Sequence, residues 1–243
     1  MKIEVWSDFA CPFCYIGKRR LEMALNDFEF KDEISLEFKS YELDPVAKPI
    51  RNKKYYELLV SKYGMTIEQA KQSVQQMVEQ AKEAGLEYRV DSIQHSNTFD
   101  AHRLVKFAEK KGKAKEMAER LFAAYFSESK QISDHQILTE LASDIGLDAE
   151  EVLDMLESSK FSKYVREEEA VAREIGVQGV PFFVFDEKYA VSGAQPTHVF
   201  KEVLDEVWKR RRVKPSFETI TPKHSETSYC TDDGCVIERE EDV

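Results

Sequence analysis

Eleven residues into the chain, two thiols stand two residues apart in Cys11-Pro12-Phe13-Cys14. An apolar-rich stretch that reads as a strand precedes them, and the helical pattern Tyr15-Ile16-Gly17-Lys18-Arg19-Arg20-Leu21-Glu22 follows at once. Dithiol–disulfide exchange needs this placement. The unpaired N–H groups of a helix N-terminus carry partial positive charge, which stabilises a thiolate on the first cysteine. Proline suits the first turn, where a missing N–H costs nothing. The second cysteine lies within reach to close a disulfide and expel a bound substrate. The alternatives are half of a metal site or an inert pair.

The other two cysteines, Cys230 and Cys235, form a second close pair at the opposite end. Two close pairs are not the scatter of a structural disulfide framework; in a reducing compartment such pairs mean redox chemistry or metal. A chain of 243 residues with 42% hydrophobic and 33% charged residues is long enough for one large domain, or for a domain carrying an insertion. The net charge of −11 argues against nucleic acid or an anionic membrane as the main partner. The one basic cluster, Lys209-Arg210-Arg211-Arg212, falls where a helix C-terminus would welcome it. No apolar leader follows Met1-Lys2 and no apolar run reaches bilayer length, so the expectation is a cytoplasmic protein. Oligomeric state is not legible.

Residues 2–8 read as a strand, 12–27 as a helix, and 34–41, alternating apolar and polar, as a second strand ended by Pro45. This β-α-β unit puts the thiols at the C-terminal end of its first strand, where open α/β sheets place active sites. From about 53 to 175 the pattern is helical. Thr66-Ile67-Glu68-Gln69 resembles a capping box, and Gly85, Gly112, Gly146 and Gly176 mark stops. Strands return at 180–185 and 189–192, a hairpin turned by Asp186-Glu187-Lys188, and Gln195-Pro196-Thr197 opens a last helix to about Arg211. The fold class expected is α/β: β-α-β, a helical block, then β-β-α. The divisions are 1–50 with 176–212 as a discontinuous sheet domain, 51–175 as an inserted helical domain, and 213–243 as a tail. The tail's composition reads as unable to bury much, and therefore as mobile.

With these residues in place the chain resembles the DsbA family, a thioredoxin fold carrying a helical insertion. Three blocks carry the resemblance: Ser7-Asp8-Phe9-Ala10-Cys11-Pro12-Phe13-Cys14-Tyr15-Ile16-Gly17, Asn97-Thr98-Phe99-Asp100-Ala101-His102-Arg103 and Gly179-Val180-Pro181-Phe182-Phe183. Together they are similar to the FrnE-like branch, whose relatives include 2-hydroxychromene-2-carboxylate isomerases and kappa-class glutathione transferases. The tail pair, with its four-residue spacing, resembles a second pair found in some FrnE-like proteins. The resemblance implies a protein-disulfide oxidoreductase or isomerase that acts on protein or small-molecule disulfides. It also implies a cis bond before Pro181, with Val180 offering its backbone to substrate.

Cys11 is then the attacking nucleophile and Cys14 the resolving thiol, with Pro12, Phe13, Val180 and Pro181 lining the substrate site. Asp8 reads either as a buried carboxylate that relays protons or as a solvated strand end. His102 reads as a satisfied helix-packing residue, with a position facing the cysteines as the alternative. Met65, Met77, Met117 and Met155 read as core filling. Cys230 and Cys235 read as a shuttle that exchanges disulfides with Cys11–Cys14, against a local disulfide, idle thiols or zinc held by all four thiolates. About 18 residues separate Arg211 from Cys230, an extended reach of about 60 Å. No resident cofactor or metal is expected; glutathione is the one candidate co-substrate, through a glutathione-dependent isomerase or transferase activity. A thiolate metal-binding stress protein is the remaining reading.

Overall fold

Strand β1 (Lys2–Ser7) is buried along nearly its whole length, and its side chains alternate between two covered faces. Strand β2 (Ser35–Ser40) runs parallel to it in the register Lys2↔Ser35 to Ser7↔Ser40. A parallel pair needs a crossover, and helix α1 (Pro12–Asn26) with the short 3-10 turn Lys31–Glu33 supplies it. Strand β3 (Phe182–Phe185) is antiparallel to β1, and β4 (Tyr189–Ser192) antiparallel to β3, giving the order β2-β1-β3-β4. Asp186 and Glu187 both turn through positive φ, and Lys188 N–H donates to Phe185 C=O at 3.1 Å. The Asp186 carboxylate accepts Lys2 N–H at 2.9 Å, tying the turn to the sheet. The structure is a computed structural model that describes residues 1–48, 54–212, 227–231 and 234–238.

The alternation assigns the two faces. Ile3, Val5, Phe183 and Phe185 join the main core with Ile16 and Leu21 of α1 and with Phe200 and Leu204 of α9 (Thr197–Arg212). Trp6 and Val184 face the other way, onto Ala172 of α8 (Ser162–Glu174) and Val177.

Between β2 and β3 the described residues form α2 (Tyr55–Tyr63), α3 (Ile67–Glu83), α4 (Phe99–Lys110), α5 (Ala114–Phe126), α6 (His135–Asp144), α7 (Ala149–Glu157) and α8. The capping box is formed: Gln69 N–H donates to Thr66 Oγ1 at 3.2 Å and Thr66 N–H to Gln69 Oε1 at 3.0 Å. The helical block shares its core with the sheet halves, since Leu104, Phe122 and Phe126 belong to the same apolar cluster as Ile3 and Ile16. Residues 1–208 accordingly form one compact unit.

A buried polar knot joins the block to the sheet. Lys106 of α4 donates to Phe38 C=O at 2.7 Å and to Glu168 Oε1 at 2.6 Å. Glu168 Oε2 accepts both Ser40 N–H and Ser40 Oγ–H at 2.8 Å. Glu168 is partly exposed, so losing one partner costs less than the roughly 3–5 kcal/mol of a fully buried pair.

Residues 209–243 form a second unit. It holds an antiparallel hairpin, which the sequence reading did not place, of β5 (Thr227–Thr231) and β6 (Gly234–Glu238), in which Cys230 stands opposite Cys235. Its remaining stretches, 213–226, 232–233 and 239–243, and with them the expectation of mobility there, lie outside the described residues. Among the described residues no helix is long and apolar enough to cross a membrane.

Candidate active site

Helix α1 begins at Pro12, so Cys11 is its N-cap residue, with extended backbone at φ −92° and ψ 114°. The tight turn is closed by Cys11 N–H on Asp8 C=O at 3.0 Å and Cys14 N–H on Cys11 C=O at 3.1 Å. Both thiols are free and both are buried, Cys11 at 4% exposure and Cys14 at 1%. Their surroundings differ. Cys11 contributes to the wall of a cavity of about 400 Å³, whereas Cys14 lies beneath, outside that wall. Burial pushes the Cys14 thiol well above its ordinary range, and the neighbouring Cys11 sulfur pushes it further. The Ser7 hydroxyl and the Asp8 backbone N–H pull the other way without overcoming them.

The Val180–Pro181 peptide bond is cis, the geometry the resemblance implies. Cys11 Sγ–H donates to Val180 C=O at 3.5 Å. Pro181 does not reach the cavity wall; its ring lies against α1 instead. Gly17 permits that approach, since a Cβ there would stand 3.0 Å from Pro181 Cγ and 3.2 Å from Phe183 Cζ. Phe13 is 40% exposed at the cavity's edge, and Pro12, Gly179 and Val180 complete the floor.

Asp8 is not a solvated strand end: it is 1% exposed. Its carboxylate accepts Ala10 N–H at 3.1 Å and Leu43 N–H at 2.7 Å. Burial works against the charge, but His102 and the two backbone donors win, holding the carboxyl below its ordinary range. His102 is buried as expected of a packing residue, with its ring 4.9 Å from that of Phe9. It is not satisfied, however. Its Nε2 stands 3.8 Å from Asp8 Oδ1, beyond hydrogen-bond length, and has no hydrogen-bond partner among the described residues. A charge attraction between the two at this distance requires a protonated imidazole.

The cavity's far wall comes from the helical block: Tyr55, Leu58, Leu59 and Tyr63 of α2, with Met65 and Met77. Met65 thus lines the cavity rather than filling the core, while Met77 does both. His95, Lys62 and Asp44 are the charged or titratable groups added at the wall, and burial lowers the affinity of His95 for a proton. Sequence reasoning missed this wall. The signal available was the apolar spacing Tyr55, Leu58, Leu59 in a helix none of whose residues is fully buried.

A second group of missed residues holds α1 in place. Tyr15 stacks on Phe122 at 5.0 Å and donates to Glu119 Oε1 at 2.7 Å, while Lys18 and Arg19 pair with the same carboxylate. Burial opposes the Glu119 charge, yet the cations and the phenol hold that carboxyl below its ordinary range. Tyr88, in the loop after α3, donates to Pro12 C=O at 2.8 Å. Among the described residues no three or more histidine, cysteine or acidic side chains converge as a metal site would require.

Residues 2–205 match the DSBA-like thioredoxin domain family, and the chain belongs to that family. It is 30% identical over 215 residues to the uncharacterized protein YwbO of Bacillus subtilis, across 86% of this chain and 98% of that one. Among solved structures it is similar to a probable DsbA oxidoreductase of Streptomyces coelicolor, with 36% identity, a TM-score of 0.81, and 98% of this chain and 99% of that one covered. It also shares its fold with a 2-hydroxychromene-2-carboxylate isomerase, at 14% identity and a TM-score of 0.65, over 87% of this chain and 98% of that one. The chain is therefore a thioredoxin-fold member of a thiol–disulfide oxidoreductase family.

Proposed function

We propose that this protein exchanges disulfides through Cys11 and Cys14, with Cys11 attacking first and Cys14 resolving. The observation that carries the order is the unequal placement of the two sulfurs. Cys11 is the N-cap of a helix and opens onto a cavity; Cys14 lies beneath with its thiol pushed up. In the first step the Cys11 thiolate attacks one sulfur of the substrate disulfide. That S–S bond breaks, the departing sulfur leaves as a thiolate and takes a proton from water, and a mixed disulfide forms. In the second, Cys14 gives up its proton to solvent or to the departing thiolate and attacks Cys11 Sγ, which closes Cys11–Cys14 and releases the second substrate thiol.

The two steps are coupled by electrostatics. After burial, the forces that raise the Cys14 thiol come from the Cys11 sulfur. Once that sulfur is bonded to substrate it carries no charge, and the penalty on Cys14 ionisation drops. Burial, the largest cause, remains in the mixed disulfide, so the Cys14 thiol stays raised but by less. Asp8, kept ionised by its N–H donors and by His102, is a weak proton acceptor; its role here is to fix the turn that carries both sulfurs.

The cavity supports both a low-mass disulfide and an apolar side chain beside a protein disulfide, since about 400 Å³ falls within the range of small-ligand sites. Glutathione as a co-substrate is the second reading, supported by the same cavity. Reduction of insulin and of a low-mass disulfide by the same preparation tests the proposal. Exchange should vanish in Cys11→Ser and stall at a mixed disulfide in Cys14→Ser. Turnover of an electrophile with glutathione by Cys14→Ser protein, without disulfide exchange by the wild type, would favour the second reading instead.

A further inference from the structure

The loop between α3 and α4 sends one side chain to the backbone of the thiol motif. Tyr88 is buried, with its ring 4.6 Å from Phe126 and 6.1 Å from Tyr15, nearly parallel to both. The next residue anchors the loop, as Arg89 N–H donates to Phe126 C=O at 2.8 Å. The phenol thus arrives pre-positioned, and its hydroxyl donates to Pro12 C=O at 2.8 Å.

Pro12 C=O and Phe13 N–H are the two ends of one peptide group. Pro12 is the first residue of α1 and has no N–H, and Cys14 N–H is taken by Cys11 C=O. Phe13 N–H is left, with no hydrogen-bond partner among the described residues. An N-cap side chain accepts from the second or third N–H of its helix. The Cys11 thiol does not do so here; it donates to Val180 C=O. Once its proton is gone, the sulfur can only accept, and the donors at hand are the Cys14 thiol and, on the backbone, Phe13 N–H. A hydrogen bond to a peptide carbonyl strengthens the N–H at the other end of the same group.

We infer that Tyr88 is a positioning residue for exchange: its hydrogen bond to Pro12 C=O fixes and polarises the peptide whose N–H receives the Cys11 thiolate. This rests on the proposed reaction at Cys11. The other titratable or charged groups around Cys11 are Cys14 in its own helix, Asp8 in the turn before it and, on the shared cavity wall, Tyr55, Tyr63, Lys62, Asp44, His95 and Tyr125; burial keeps the phenols of Tyr55, Tyr125 and Tyr88 protonated.

The test is Tyr88→Phe in the full chain. The variant keeps the ring stack and leaves Pro12 C=O its helical donor, so the fold is expected to survive. The readouts are the pH–rate profile of Cys11 alkylation, mapped by mass, and the equilibrium with glutathione. The profile should move to higher pH, with alkylation at mildly acidic pH falling about two- to fivefold, the share of a hydrogen bond such relayed polarisation can deliver. The glutathione equilibrium should shift toward the protein disulfide by a similar factor. Tyr88→Leu, which also removes the stack, separates packing from polarisation: a shift in Leu with none in Phe overturns the inference. A wild-type profile in Tyr88→Phe, with Cys11 still exchanging, overturns it too. Absence of exchange in the wild type would instead sink the reaction on which the inference rests.

Discussion

The two cysteine pairs of this chain are built on opposite plans. Cys11 and Cys14 follow one another along a helix start, so the turn gives each sulfur a different environment: one caps the helix and opens to a cavity, the other is sealed beneath it. Cys230 and Cys235 stand opposite one another across a hairpin, in the register that also pairs Thr231 with Gly234. Cα atoms of directly opposed antiparallel residues lie about 4.5–5.5 Å apart, within the Cα separation a disulfide spans. Sequence neighbours on a helix terminus become unlike partners, an attacker and a resolver. Residues paired across two strands gain no such division from their backbone.

The largest effect should come from breaking the unlike pair. Cys11→Ser should abolish disulfide exchange, whereas Cys230→Ser should leave exchange with low-mass disulfides at the wild-type rate, both read by the same reduction assay. Loss of low-mass exchange in Cys230→Ser would show that the two pairs cannot be separated. A shuttle role for the tail predicts in addition that Cys14→Ser protein accumulates a mixed disulfide between Cys11 and a tail cysteine. It also predicts that truncation after Arg212 slows turnover of a large protein disulfide only.

Next in size is pH. A raised Cys14 thiol ionises tenfold more for each pH unit gained below its midpoint, so release of substrate from the Cys11 mixed disulfide should accelerate by about that factor per unit through neutrality. Single-turnover release that is flat with pH would contradict the assignment of Cys14 as resolver.

The turn beneath the unlike pair should be costly to disturb. Asp8→Ala strands two backbone N–H groups and the buried His102, and urea unfolding should report a loss of about 3 kcal/mol. The native Asp8 carboxyl lies below its unfolded value of about 3.9. Its contribution is therefore complete above that value and is lost as pH falls through the lower native one; in Asp8→Asn this part of the acid limb should be missing. The smallest effect is Gly17→Ala, whose Cβ crowds the Pro181 ring and should cost about 1–3 kcal/mol, checked by the same unfolding curve.

Much of this was legible in the chain. A strand followed by two spaced thiols and a helix pattern points to one kind of site, and Thr66, Gly85 and Gly176 punctuate helices by their own local chemistry. What escaped is what depends on distant partners. Pro12 and Tyr88 are 76 positions apart, and nothing local to either announces their bond. Asp8 could be read as solvated because its burial is decided by Leu43 and His102. The tail hairpin was legible in part: Asp233-Gly234 is a turn signal and Val236-Ile237 favours a strand, but a charged, proline-bearing context outweighed five residues of pattern.

The central claim is the division of labour between Cys11 and Cys14, and trapping tests it most directly. Each single serine variant is mixed with excess low-mass disulfide, quenched with acid and mapped by mass. The structure predicts a stable adduct on Cys11 in Cys14→Ser and none on Cys14 in Cys11→Ser. An adduct on Cys14 formed at a comparable rate would contradict it.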